Sequence, residues 1–137
     1  MKMTIEELLQ TQYWVIDILP SQVSNRAAGQ YFAVDEFWGQ EPNRSAIKQK
    51  QVNVILKLNC YRDIALEDEA NVNPPVQKIA DSMFAEHTNL LVGDALIVSD
   101  PEDTYITVYN PDAKLLDLVR KLAMAEGLFV WQPKGLE

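Results

Sequence analysis

His87 is the only histidine of this 137-residue chain, and Cys60 is its only cysteine. An imidazole-based acid–base pair must therefore use His87, and a thiolate nucleophile must be Cys60. His87 falls at the end of an apolar helical stripe, the usual place of a partly buried structural imidazole. Cys60 follows an apolar run and reads as a small buried hydrophobe; Arg62, two residues on, would lower its pKa only in an exposed setting. No Gly-x-Ser-x-Gly elbow marks a nucleophilic serine. No Gly-rich turn links a strand to a helix in the way phosphate and dinucleotide sites require. One imidazole and one thiol fall short of a transition-metal ligand set. Oxygen ligands for Ca²⁺ or Mg²⁺ exist at Asp100, Glu102 and Asp103 and at Glu67, Asp68 and Glu69, but neither run has EF-hand spacing, and turn carboxylates are usually solvated turn formers. The expectation is no catalytic residue, no cofactor and no metal. A carboxylate pair of the glycosidase kind is spatial and leaves no mark in sequence.

Charge is more informative than motif. The formal net charge of −8 argues against general nucleic-acid binding, whose footprint is a basic face. Its distribution is uneven. Residues 42–62 carry Arg44, Lys48, Lys50, Lys57 and Arg62 with no acid, whereas residues 63–112 carry eleven acids against Lys78 alone. Opposite charges can simply balance across one domain. Alternatively the acids form a face that steers a basic partner, because such fields raise association rate and specificity. Glu67, Asp68, Glu69, Asp100, Glu102 and Asp103 are the acidic candidates for that surface. Tyr105 and Tyr109 are the aromatic ones: with Thr107 they share one face of a predicted strand, while Ile106 and Val108 take the core face, and tyrosine is enriched at interfaces. The aromatics Tyr13, Trp14, Phe37, Trp38, Tyr61, Tyr105, Tyr109 and Trp131 are otherwise expected mainly in the core.

The elements that would position these groups are most legible in the last third. Ala95–Ser99 and Thr104–Tyr109 are β-rich runs joined by Asp100-Pro101-Glu102-Asp103, with Pro presetting φ and Asp able to bond the backbone two residues on. Asn110-Pro111 predicts a helix start, with Asn as cap and Pro at the first position. Leu115, Leu118, Val119 and Leu122 form its buried stripe, with Asp117 and Lys121 paired outside. Gly127 predicts its end. Leu128–Trp131 is apolar on both faces and reads as a central strand.

Upstream, Ile5–Gln10 predicts a short helix with a Thr4/Glu7 capping box. Tyr13–Leu19 reads as a strand and Ser21–Gly29 as a loop. Tyr31–Trp38 fits a helix better than a strand, because Tyr31, Val34 and Trp38 then share a stripe that excludes Asp35 and Glu36. Residues 44–59 read as a helix burying Ile47, Val54, Ile55 and Leu58, with Gln49, Lys50, Asn53 and Lys57 outside. A strand is expected at Tyr61–Leu66. Asn73-Pro74-Pro75 opens a helix whose stripe is Val76, Ile79, Ala80, Met83, Phe84 and His87. Thr88–Gly93 is expected only to lead into the hairpin.

These readings add up to one α+β domain over residues 1–135, a mostly antiparallel sheet of four to five strands with packed helices, ending in a β-β-α-β unit at 95–132. Leu136-Glu137 read as the scar of a purification tag. No apolar run approaches the roughly 18–20 residues that span a bilayer, the N-terminus lacks a signal-peptide core, and one cysteine suits a reducing compartment; a cytoplasmic protein without membrane contact is expected. The functional expectation is a non-enzymatic interaction module for a basic protein partner, by analogy with inhibitors that neutralise basic proteins. The alternatives are a small hydrolase using unidentified carboxylates and a structural homodimer formed through the sheet.

Overall fold

The computed structural model describes residues 3–24 and 28–134. Its elements run α1 (Ile5–Leu8), β1 (Tyr13–Asp17), α2 (Ala28–Trp38), α3 (Asn43–Asn59), β2 (Ala65–Leu66), α4 (Val76–Ala85), β3 (Thr88–Val92), β4 (Ala95–Ser99), β5 (Ile106–Tyr109), α5 (Ala113–Ala125) and β6 (Phe129–Trp131). The strands form one antiparallel sheet in the order β2-β3-β4-β5-β1-β6. The predicted α+β class holds, with one strand more than expected. Thr88–Gly93 supplies it: Thr88, Leu90 and Val92 are buried and alternate with half-exposed Asn89 and Leu91, a period-two pattern too short to separate from a linker by sequence. Residues 25–27 of the expected 21–29 loop, and Leu136-Glu137, lie outside the described residues.

Register explains the layers. Ile16 pairs with Ile106, Ile97 with Val108 and Leu90 with Ile97, so these side chains share one face. On that face lie α3, α4 and α5, contributing Val52, Ile55, Leu58, Ile79, Met83, Leu115 and Val119 to a dry aliphatic core. The four residues expected to be buried on α3 are buried. On the opposite face the rows Tyr13–Tyr109–Leu96 and Val15–Thr107–Val98 meet solvent, except at Val15, which is buried, and where α1 packs on β4 and both Leu8 and Leu96 are buried.

The local start and stop signals act with two substitutions of residue. Thr4 and Glu7 form the capping box. Gly127, at φ +76°, closes α5 as expected: its N–H donates to the Met124 carbonyl and that of Leu128 to the Ala123 carbonyl, a Schellman pair. The N-cap of α5, however, is Asp112, whose Oδ1 accepts from the Leu115 N–H at 2.8 Å. Asn110 instead takes φ +57° and its amide donates to the Asp94 carbonyl, closing the end of the sheet. Asn73 likewise does not cap α4. At φ +49° its side chain accepts from the Ile64 N–H and donates to Asp63, which ties down the loop after β2.

Three expectations about burial are overturned. β6 is an edge strand, because β1 spends its other side on β5; Phe129 is exposed, and Val130 and Trp131 are only half-buried. α4 ends at Ala85, so His87 leaves the apolar stripe and its side chain is exposed. Cys60 is exposed at the end of α3, not buried. The aromatics are also misplaced by the expectation of a core role. All three Trp, five Tyr and four Phe are exposed or half-buried, and the buried hydrophobic set is wholly aliphatic apart from Met83. With strands this rich in Leu, Ile and Val, the core fills without rings.

Candidate functional site

Chain direction gathers carboxylates at one end of the sheet. β1, β2 and β4 finish there, and β3, β5 and β6 begin there. Asp17 is the last residue of β1, Glu67 and Asp68 follow β2, Glu86 precedes β3, and Asp100, Glu102 and Asp103 form the turn between β4 and β5. Asp35 joins them from α2, its Oδ1 accepting from the Thr104 hydroxyl at 3.2 Å. Five stretches separated in sequence thus share one end of the sheet, spread from Glu67 beside β2 to Asp17 on β1, four strands along. Three of the acids are held by backbone N–H groups: Glu67 accepts that of Asn89 at 2.8 Å, Asp68 that of Ala70, and Asp100 that of Glu102 as its turn chemistry predicts.

Between the loop after β2 and α4 lies a cleft of about 460 Å³, lined by Glu67, Asp68, Asp81 and Glu86, with Lys78 as its one described cation. Glu69 points elsewhere, toward Leu91 and Gly93 on the other face, so the sequence run Glu67–Glu69 is split between two surfaces. Tyr109 sits mid-sheet with Tyr13, ring centroids 5.3 Å apart, while Tyr105 belongs to the acidic end. The Tyr105 phenol is held above its ordinary pKa by burial and then by Asp103, Tyr31, Asp35 and Asp17, the charged neighbours all being acids. Burial, then Asp100, also raises Asp103. His87 contributes an imidazole 3.6 Å from the Asp100 carboxylate.

The basic 44–62 segment reaches this end only in part. Lys57 binds Glu126 at 2.8 Å, and Arg62 lies 4.0 Å from Asp112. Arg44, 3.7 Å from Glu41, lines a concavity with Glu102 at the border of the acidic end. Lys48 lies there too, and sequence reasoning missed it. Only 2% exposed, it crosses from α3 to the sheet, donating to Gln51 Oε1 at 2.6 Å, Ser99 Oγ at 2.9 Å and the Asp100 carbonyl at 2.9 Å. Burial lowers its pKa to about 8 against the opposing pull of Asp103 and Asp100. Three acceptors saturate its three donors, so its arrangement is that of a tether between layers. The signal was available: Lys48 lies next to Ile47 and one turn before Val52, on the buried side of the helical wheel.

A second concavity, of about 260 Å³, opens on the far face at the Asp17 corner, between Asp17, Trp131, the 19–24 segment and Tyr31 and Phe32 of α2. Asp17 is 8% exposed. Burial raises its pKa, opposed by the N–H groups of Ile18 and Leu19. The Trp131 indole N–H also faces this carboxyl and helps keep it ionised, yet it sits outside hydrogen-bonding geometry, and its buried donor is unused. His87 is not part of this cavity. Among the described residues, no three His, Cys, Asp or Glu side chains converge as metal ligands, and no helix is long and apolar enough to cross a membrane.

No protein family, curated protein or solved structure matches this chain.

Proposed function

We infer that the chain is a protein-interaction module whose acidic end receives a basic partner. One observation carries this reading. Carboxylates from five chain segments lie at one end of the sheet, one of them Asp35 on the same helix as the exposed rings of Phe32, Phe37 and Trp38, while Lys48 is buried beneath the β4–β5 turn and Lys57 is paired with Glu126. Clustered charge of one sign attracts and orients the opposite sign, and exposed aromatics beside it provide the contact area that charge alone lacks. The β2–α4 cleft has the size and sign to accept a lysine or arginine side chain.

The homodimer reading draws less support. β2 has two residues and is bridged on its outside by Val72, and the Val130 carbonyl of β6 accepts from Arg120, so both sheet edges are short and partly occupied. The small-enzyme reading rests on Asp17 in its cavity, with Asp35 near by and the hydroxyls of Ser21, Ser24 and Tyr31 in the same lining; no His, Cys or Lys is among the described lining residues to activate them.

Capture on immobilised protein tests the proposal. At about 50 mM NaCl the wild-type chain should retain a partner whose isoelectric point exceeds 9. Retention should fall several-fold at about 500 mM, as screening shortens the reach of exposed charges. The variant E67Q/D68N/E86Q should lose the same partner, whereas D63N/D94N/D117N, with as much charge removed elsewhere, should keep it. An acidic partner, or one indifferent to salt and to the first variant, would overturn the reading.

A further inference from the structure

We propose that the cavity beside Asp17 is a binding site for a small organic cation. This goes beyond the interaction surface, with which it shares Asp17 and Phe32, and adds a small-molecule ligand on the far face of the sheet.

Size comes first. A volume of about 260 Å³ holds about eight or nine water molecules at liquid density, which admits an amino alcohol or a quaternary ammonium but not a nucleotide. The walls come next: Tyr31, Phe32 and Trp131 put three aromatic rings around one carboxylate, the combination that attracts organic ammonium groups through ring quadrupoles and direct charge. The sign of the field agrees. Asp17 carries its charge 92% buried with only N–H donors to support it, Asp35 and Asp103 add negative potential at Tyr31, and no Lys or Arg is among the described lining residues. An anion would meet repulsion here, and a neutral ligand would leave the carboxylate uncompensated. Finally, the Trp131 indole N–H faces the Asp17 carboxyl from inside the wall, so its signal reports on changes at that carboxylate.

Choline and its uncharged carbon isostere, 3,3-dimethylbutan-1-ol, separate charge from shape. Binding is followed by the ¹H–¹⁵N signal of the Trp131 indole, identified by its absence in W131F, with the Trp14 and Trp38 indoles as controls. Choline should shift the Trp131 signal saturably and bind at least about tenfold tighter than the alcohol, the discrimination that about 1.4 kcal/mol of cation recognition gives. Tetramethylammonium, which keeps the charge without the hydroxyl, should also bind more tightly than the alcohol. D17N should abolish the preference for choline over the alcohol while its spectrum elsewhere stays folded. Y31L should weaken choline without touching Asp17. Equal binding of choline and the alcohol, retention of the preference in D17N, or no shift with either ligand up to about 20 mM, well above the millimolar range of weak specific sites, would each overturn the proposal. So would binding of Nα-acetyl-lysine methylamide without binding of choline, which would make the cavity a socket for a protein side chain.

Discussion

Replacing Lys48 by Met should change how stability depends on pH, and the size of the change follows from its burial. In the folded chain the ammonium is 2% exposed and its pKa falls to about 8 from the ordinary 10.5. At about 1.4 kcal/mol per pH unit, that interval corresponds to about 3 kcal/mol. Below pH 8 the amine is charged in both states, and folding bears the full penalty of burying it. Between about 8 and 10.5 the unfolded chain keeps the proton that the folded chain has released, so rising pH favours the folded state. The groups facing Lys48 are Gln51 Oε1, Ser99 Oγ and the Asp100 carbonyl, with the carboxylates of Asp100 and Asp103 near by. A neutral amine can still donate to two of the three acceptors and receive the Ser99 hydroxyl. Every other titrating group is common to both proteins and cancels in the comparison with K48M. Urea unfolding of both proteins should show the stability of wild type relative to K48M rising by about 3 kcal/mol between pH 7 and pH 10.5. The offset at pH 7 is a separate matter, since Met also strands three acceptors. A difference constant within about 0.5 kcal/mol, near the error of such extrapolations, would refute the assignment of Lys48 as a buried charge.

Trp131, half-buried on an edge strand, should lose only about 1–2 kcal/mol on truncation to Ala, below the 3–5 kcal/mol of a fully buried ring; denaturant midpoints measure this. Gly127→Ala should cost about 1–2 kcal/mol from the left-handed backbone alone, because the nearest atom to an added Cβ is Lys50 Nζ at 4.0 Å and offers no clash; a melting temperature equal to wild type would show that α5 ends differently. Cys60, exposed at the end of α3, should react with a disulfide reagent in the folded protein within about threefold of its rate in urea, and complete protection would return it to the core.

What the sequence made legible follows the reach of each physical signal. Helix periodicity placed α3 and four of its seven buried residues, and glycine chemistry placed the end of α5, because both depend on residues within one or two turns. Cap identity failed at Asn110 and Asn73 for a specific reason: both stand where the chain must turn through positive φ, and the next acceptor, Asp112, or the backbone itself took over the helix end. The rank of β6 could not be read, since an apolar strand can owe its second face to a neighbouring strand or to a half-open cavity, and strand order is a long-range property. The same limit applied to the site. The acids of 67–69 and 100–103 were visible as charge, but their meeting at one end, together with the loss of Glu69 to the other face, depends on the direction of six strands. Asp17 was hidden for the opposite reason: it is a single charged residue inside an apolar run, and its burial is set by what packs over it. Lys48 stands in a polar stretch with Gln49, Lys50 and Gln51, and only its place on the buried side of the wheel sets it apart.

Zero-length carbodiimide cross-linking of the complex with its captured basic partner, followed by identification of the linked peptides, reads the interface directly, because it joins a carboxylate of this chain to a lysine in contact with it. The acidic-end account predicts links from Glu67, Asp68, Asp81, Glu86 or Glu102, and their loss at about 500 mM NaCl. Links confined to Asp63, Asp94 or Asp117, at the other end of the sheet or on α5, would contradict it.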